Sequence, residues 1–411
     1  MVSVPLGIYI SVPFCRTKCS YCNFASDVFS RAVFERYVER VCADIEKAPQ
    51  VAVEMGGQFE REVDSIYLGG GTPTVLDAGQ LERMFNAVRH QFEVERDAEV
   101  TVECAPGTLT AGVVESLLRC GVNRVSLGVQ SFVDREAAAV GRLHKRTTVL
   151  EDIARLRAAG ISNINIDLIA GLPHQTAESW AFSVMEAIAT GTPHVSVYML
   201  EVDEDSRLGS ELLAGGTRYH AHFVPDEDAT ADFYLLACEQ LQSEGIAQYE
   251  ISNFARAGFE SRHNLKYWTR QPYFGFGVDA HSMLLSNSPD VEAVRFASAD
   301  SLEQYMSSAS LPRTSSSRIV VSRRVALEES FFLGLRVMRG VDLKGLSARF
   351  GDEAIDNTRA AITELVEGGL MQTCGDFVSL TPKGRLLSNE VFQRFLSPIE
   401  SSEDVSTIVS R

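Results

Sequence analysis

The sequence predicts an α/β protein. Its main body is a partly open parallel barrel of the (β/α)6 type, TIM-like, followed by a smaller, mainly helical, winged-helix-like domain. Three observations predict this. Short β-rich runs alternate with longer helical patterns from residue 6 to about 250; polar residues stand at the ends of several of those runs; and the alternation stops at a serine-rich stretch, residues 297–325. Regular alternation of this kind means parallel strands joined by crossover helices. About six units fall short of the eight that close a full barrel. Periodicity alone does not choose between closed and open sheets, and the partly open barrel fits the count.

The elements follow in order. Strands are expected at 7–12, 65–68, 99–103, 124–129, 163–169 and 194–200, each rich in β-branched and aromatic residues. Helical patterns at 34–46, 81–92, 113–119, 148–158 and 178–189 lie between them, and a last one at 229–243 leads to a short run at 248–251. The barrel domain with its extension spans 1–296, and 297–325 reads as a linker, with Ser307, Ser308, Ser310 and Ser315 to Ser317 around Pro312. The C-terminal domain, 326–398, holds helices at 327–337 and 356–367, a Gly368-Gly369 stop, a hairpin at 371–380 and a final helix at 382–396. The serine- and acid-rich tail, 399–411, is expected to be disordered.

Composition narrows the function classes. A formal net charge of -17 argues against a nucleic-acid binder, which carries a basic footprint. No run of 18 apolar residues is present, so no transmembrane helix is expected, and the N-terminus lacks the cationic start of a signal peptide. A cytoplasmic protein, peripheral at a membrane where it meets membrane partners, is expected. Of eight cysteines, Cys42, Cys104, Cys120, Cys238 and Cys374 are scattered and read as small buried apolar residues.

The other three carry chemistry. Cys15, Cys19 and Cys22 are spaced C-x3-C-x2-C just past the first strand. A structural zinc wants four ligands, commonly from two knuckles, and no second knuckle exists. A disulfide leaves an odd thiol. Three thiolates can hold three irons of a four-iron, four-sulfur cube and leave the fourth open. Next, Gly69-Gly70-Gly71-Thr72-Pro73 follows the second strand. It reads as a tight turn, or as a close backbone approach to a ligand. It matches neither a dinucleotide nor a nucleoside-triphosphate fingerprint. Glu103, Gln130 and Asp167 stand at or near the ends of the third, fourth and fifth strands. Ligands of parallel α/β folds bind at the carboxyl ends of strands, so these groups are expected to converge on one face.

These residues carry a resemblance. Tyr-Ile-Ser-Val-Pro-Phe-Cys-x3-Cys-x-Tyr-Cys at 9–22, Gly-Gly-Gly-Thr-Pro, Gly-Val-Gln-Ser-Phe and Asn-Ile-Asp-Leu-Ile-x-Gly-Leu-Pro resemble the radical S-adenosylmethionine (SAM) superfamily. Within it they resemble the branch that holds the coproporphyrinogen dehydrogenases (HemN) and the HemW-type haem chaperones. The resemblance implies a [4Fe-4S] cluster on Cys15, Cys19 and Cys22, whose open iron is chelated by SAM. One electron from the reduced cluster then splits a sulfonium C–S bond and gives a 5′-deoxyadenosyl radical. It also implies SAM contacts from Tyr9, Tyr21, Gly70, Gly71, Thr72, Glu103, Gln130, Arg142 and Asp167. Glu103 would face the methionine amino group or a neighbouring cofactor, and Arg142 would suit a carboxylate.

Three features separate the two sides of that branch. The dehydrogenases carry a further cysteine where Phe24 stands, and an extension before the first strand that this sequence lacks. His263-Asn264-Leu265-Lys266-Tyr267-Trp268 matches the H-N-x-x-Y-W signature of the chaperones. The resemblance therefore implies a haem chaperone, with His263 as a haem contact and membrane haemoproteins such as respiratory cytochromes as acceptors. Oxygen-independent coproporphyrinogen III dehydrogenase is the alternative, and a radical enzyme on another substrate a remoter one. The sequence departs from the branch at Ser11, where histidine is usual, at Asn23, where aspartate is usual, and at Cys104-Ala105-Pro106, where a polar residue commonly precedes the proline.

Overall fold

The computed structural model describes residues 4–307 and 318–396. The expected tail and most of the serine-rich stretch lie outside these residues. Six strands run parallel, side by side in chain order: β1 (Leu6–Val12), β2 (Glu62–Gly70), β3 (Glu93–Cys104), β4 (Arg124–Gln130), β5 (Asn163–Ala170) and β6 (His194–Met199). The helices between them start where the sequence offers a cap. Asp77 and Gln80 form a capping box on Ala78–Gln91, Thr176 and Ser179 form one on Ala177–Ala189, and Ser30, Thr110 and Asp226 cap three more.

The sheet is wider than the six strands read from the sequence. Beyond β6, β7 (Ala247–Gln248) and β8 (Asn253–Ala255) continue it, with β8 antiparallel to β6. On the other side β9 (Tyr273–Phe276) pairs parallel with β1, followed by antiparallel β10 (His281–Leu285) and β11 (Val291–Ala297), with β12 (Ile319–Ser322) at the edge. The sheet of twelve strands does not close. The β9–β11 segment escaped pattern reading because glycines break it. At Gly275 an added Cβ would lie 2.2 Å from His281 O, and Gly277 has φ 96°.

The six parallel strands alternate strictly. Ile8, Ile10, Ile66, Leu68, Val102, Val125, Leu127, Ile164, Ile166, Val195 and Val197 are buried and form one face. The other face carries Tyr9, Ser65, Tyr67, Glu99, Thr101, Glu103, Arg124, Ser126, Asn165, Asp167, His194 and Ser196. Those side chains bond to one another across strands (below), so they share one face, opposite the apolar one. A closed barrel fills its inside with branched apolar residues. Here the inside is polar and the apolar packing lies between sheet and helices.

Within the stretch expected as linker, Leu302–Ser307 is helical and Ile319–Ser322 joins the sheet. The chain divides into two compact units, one of residues up to Tyr267 with Gln271–Val321, the other of Trp268–Arg270 with the chain from Ser322. In the second unit, helices Arg323–Gly334, Leu343–Phe350 and Asp352–Glu367 accompany a sheet ordered β13 (Val341–Asp342), β15 (Phe377–Leu380), β14 (Met371–Cys374). Phe331, Leu335, Ile362, Leu365, Val378 and Val391 form its core. Gly369, at φ 69°, ends the long helix, with bonds Leu370 N–H to Leu365 O and Gly369 N–H to Val366 O, as a double-glycine stop requires. The single final helix expected at 382–396 is two short ones, Pro382–Leu386 and Ser388–Gln393, divided at Leu387. Buried Arg270 and Glu329 pair at 2.8 Å.

The five scattered cysteines form no disulfide among the described residues and are not uniformly buried: Cys104 and Cys120 are, Cys42 and Cys238 are half-buried, and Cys374 is exposed on strand β14. Among the described residues no helix is long and apolar enough to cross a membrane.

Candidate functional site

The cysteine loop begins where β1 ends. Cys15 N–H donates to Asp27 O and Asp27 N–H to Pro13 O, each at 3.0 Å, which closes the loop on itself. The Lys18 ammonium spans it, donating to Phe24 O at 2.7 Å and Ser26 O at 2.6 Å. Phe14 anchors the base of the loop, stacked on Phe34 with centroids 4.1 Å apart and edge-on to Tyr37.

The glycine loop docks onto it. Gly71 N–H donates to Val12 O at 2.9 Å, Thr72 N–H to Phe14 O at 2.8 Å, and the Thr72 hydroxyl reaches Cys15 Sγ at 3.8 Å. A Cβ at Gly71 would lie 2.7 Å from Val12 O, and Gly70 holds φ 95°. The glycines are thus needed for backbone approach between the loops as well as for the turn. Burial raises the Cys15 thiol above its ordinary range, hydrogen bonds from Ser26 and Thr72 oppose that, and Cys22 and Cys19 add to it. Among the described residues no three His, Cys, Asp or Glu groups close on one metal ion. Three thiols brought near one another on one short loop fit a larger iron–sulfur group.

Above the loops lies the polar face. Tyr67 donates to Glu103 Oε1 at 2.8 Å. Burial pushes Glu103 up to about 7, against the Tyr67 bond and with help from the nearby charge of Asp167. Burial also raises Asp167, which accepts from Ser126 at 3.1 Å and from Asn165 at 2.7 Å. Arg142 donates to the Tyr21 hydroxyl at 3.0 Å, and Tyr21 packs on Val140, Ile169 and Leu172. Gln130 sits at φ 68°, in the left-handed region, where β4 slips register against β5 between Gly128 and Gln130. A Cβ at Gly128 would stand 3.2 Å from both Arg142 Nη2 and Gln130 Nε2, so this glycine makes room for the two. Tyr9 lies against Tyr67, with centroids 6.2 Å apart, and its hydroxyl is 3.4 Å from where a Gly70 Cβ would be.

The structure thus gathers Cys15, Cys19, Cys22, Tyr9, Tyr21, Gly70, Gly71, Thr72, Glu103, Gln130, Arg142 and Asp167 round the carboxyl ends of β1–β5. Among the described residues Gln130 Oε1 and Arg142 Nε have no hydrogen-bond partner, although both are buried. Such atoms cost about 1–3 kcal/mol each unless something meets them.

His263 adjoins this group, its ring stacked on Tyr67 with centroids 5.3 Å apart. It is 1% exposed, with Nδ1 3.0 Å from Ser65 Oγ and Nε2 2.9 Å from Tyr267 Oη. Burial, with Lys266 and Arg124 nearby, lowers it to about 3. Both ring nitrogens are thus met by hydroxyl groups of the protein. Its helix, Arg262–Trp268, is held by Glu99, whose carboxylate accepts from Arg262 N–H, His263 N–H and the Ser261 hydroxyl at 2.9–3.1 Å.

Sequence reasoning missed the floor under the site. Asn165 is its hub: Nδ2 donates to Ser126, Asp167 and Ser196, and Oδ1 faces His194 Nδ1 at 2.6 Å. His194 Nε2 meets Tyr249 at 2.9 Å. Arg124 is 1% exposed, and its Nε has no partner among the described residues. The signal was the strict in–out alternation, read only at the strand ends. At the departures from the branch pattern, Ser11 O accepts from Tyr37 at 2.7 Å, Asn23 donates to Asp203 at 2.9 Å, and Phe24 is 56% exposed.

Known proteins bear on this geometry. The chain matches the Radical SAM superfamily over residues 9–184 and the HemN C-terminal domain over residues 321–387. It is 34% identical to the heme chaperone HemW of Lactococcus lactis, covering 96% of this chain and 98% of that one. It is 32% identical to the HemW of Bacillus subtilis (95% and 99%) and 31% identical to that of Escherichia coli (96% and 98%). The solved structure of the coproporphyrinogen III oxidase HemN from Escherichia coli superposes with a TM-score of 0.78 at 24% identity, covering 95% of this chain and 90% of that one, which shows a shared fold. With relatives above 30% identity matched from end to end and the superfamily's segment lying over the cysteine loop, the chain belongs to the HemW family of the radical SAM superfamily.

Proposed function

We propose that this protein is a haem chaperone that holds one [4Fe-4S] cluster and SAM, binds haem, and delivers it to membrane haemoproteins such as respiratory cytochromes. The observation that carries the reading is near full-length similarity to relatives named heme chaperone HemW, together with the convergence of the three-cysteine loop and the glycine loop on one polar face. The protein works in the cytoplasm and meets its acceptors peripherally at a membrane.

Each residue has a part in the proposal. Cys15, Cys19 and Cys22 hold three irons and leave the fourth for SAM. When reduced, the cluster supplies one electron at that open iron. The Gly70–Gly71 backbone and the Thr72 hydroxyl line the SAM side of the loop. Glu103 receives the methionine ammonium, and Arg142 receives its carboxylate. Gln130 and Asp167 turn toward the adenosyl part, while Tyr9 and Tyr21 wall the site. His263 of the HNLKYW helix is the haem contact in this proposal, and Ser65, Glu99 and Tyr267 hold it in place.

The test is an anaerobic haem titration of reconstituted protein run beside a coproporphyrinogen III turnover assay. Haem binding without protoporphyrinogen formation is expected. Sustained decarboxylation of coproporphyrinogen would instead make the protein a dehydrogenase and end the chaperone reading.

A further inference from the structure

Arg124 is an exception among the cations of this chain. It opens β4, on the polar face of the sheet, and is 1% exposed. A guanidinium does not give up its charge, so burial leaves it in need of an anion. The other buried cations among the described residues have one: Lys266 meets Asp64 and Arg270 meets Glu329, each at 2.8 Å. Among the described residues Arg124 forms no ion pair, and its Nε is buried without a hydrogen-bond partner.

Its neighbours across the sheet repeat the pattern. Tyr67, Thr101, Arg124 and Asn163 are successive register partners on β2, β3, β4 and β5, so their side chains share one face. Thr101 is 0% exposed and its Oγ1 has no partner among the described residues; Asn163 Oδ1 has none either. A half turn of the Asn163 amide would present its NH2 instead. Three adjacent strands thus leave three polar groups unmet side by side, where buried polar groups are ordinarily hydrogen-bonded.

The acids of the same face do not fill the need. Glu103 and Asp167 feel the charge of Arg124, yet Glu103 is bonded to Tyr67, and Asp167 to Ser126 and Asn165. Burial pushes both toward the neutral acid. A guanidinium beside a hydroxyl is a donor set for a carboxylate, which only accepts. In the function proposed above, the SAM carboxylate goes to Arg142. Haem carries two propionate carboxylates along one edge. His263, the proposed haem contact, stacks on Tyr67 with centroids 5.3 Å apart, and the charge of Arg124 reaches it. Arg124 stands two strands from Tyr67, about 10 Å. His263 and Arg124 therefore lie in one part of the polar face.

We propose that Arg124, with the Thr101 hydroxyl beside it, is a carboxylate site that receives a propionate of haem. The proposal rests on the haem-chaperone reading and adds the group that recognises the charged edge of the cargo. The test titrates full-length, cluster-reconstituted protein separately with haem, with haem dimethyl ester, whose propionates are masked, and with SAM. Wild type should bind haem roughly tenfold or more tighter than the ester, and Arg124→Gln should abolish most of that difference. Thr101→Val keeps the shape and removes a hydroxyl that meets nothing in the ligand-free protein, so it should fold; it should narrow the difference roughly fivefold. It decides the matter where Arg124→Gln does not fold. Equal affinities for haem and ester in wild type, or a wild-type ratio in a folded variant, would overturn the site alone. Loss of SAM affinity in Arg124→Gln with the haem-to-ester ratio intact would hand Arg124 to the SAM carboxylate and overturn it too. A lower urea midpoint with that ratio intact would make Arg124 structural, with the same result. Wild-type protein that binds no haem would overturn the chaperone reading, and the site with it.

Discussion

The Tyr67 hydroxyl donates to Glu103 Oε1 over 2.8 Å, from the neighbouring strand. That bond favours the ionised carboxylate, while burial opposes it and leaves Glu103 titrating at about 7. The acid proposed to receive the SAM ammonium is therefore only partly charged at neutral pH.

SAM binding should tighten as pH rises through about 7, by up to about tenfold per pH unit below the midpoint. Tyr67→Phe removes the bond that lowers Glu103, so the whole curve should move to higher pH. Calorimetric titration of reconstituted protein between pH 6 and 8.5 measures both. A flat profile in the wild type would remove Glu103 from the SAM contact.

The same shift affects stability without ligand. The folded-state value of Glu103 is raised from 4.5 to about 7, so the folded protein holds this proton more tightly than the unfolded chain. Its contribution is fully present below about 4.5 and is lost as pH rises through about 7. Glu103→Gln should escape that loss. Relative to wild type at pH 5.5, it should gain on the order of 2 kcal/mol at pH 8. Urea midpoints of the cluster-free proteins at the two pH values give the answer, and parallel curves would contradict it.

Cys19→Ala should abolish cluster assembly. The residue is 9% exposed on a loop fixed by Ser20 N–H to Val140 O, so the fold should survive the change. Iron and sulfide analysis after anaerobic reconstitution should fall from about four of each per chain to near zero. Near-stoichiometric iron in the variant would defeat the ligand assignment.

Asn165→Ala should be among the more damaging single changes in the barrel. It strips donors from Ser126, Asp167 and Ser196 and the acceptor facing His194, all on the polar face. We expect about 2–4 kcal/mol of lost stability. Denaturant unfolding followed by circular dichroism tests this, and a loss under 1 kcal/mol would mean that water replaces the amide without difficulty.

Much of the fold was legible because each βα unit announces itself locally. Asp77, Thr110 and Thr176 mark helix starts, and runs such as Asn-Ile-Asn-Ile-Asp mark strands. The antiparallel edge β9–β11 was not, because Gly275 and Gly277 imitate a loop and only pairing with β1 makes strands of them. Polar strand ends were legible at Glu103, Gln130 and Asp167, since polar residues there interrupt apolar runs. Arg124 and Asn165 were not, because their meaning depends on which face they share, and register across strands sets that. The surroundings of His263 were not legible for a related reason: a motif gives residue types but not the direction a helix faces, and here the ring turns inward to Ser65.

The polar face of the sheet has a calorimetric consequence. The apolar sleeve between sheet and helices is dry whether or not a ligand is bound, so its large heat capacity enters only when the chain unfolds. A polar molecule entering the chamber replaces water against Glu103, Arg142 and Asp167 and covers little apolar surface. Its binding heat should change little with temperature. A flat apolar ring such as that of the proposed haem ligand covers surface of the other kind and should carry a clearly negative heat-capacity change. The two ligands proposed for this protein should thus be distinguishable by the temperature dependence of their binding heats alone.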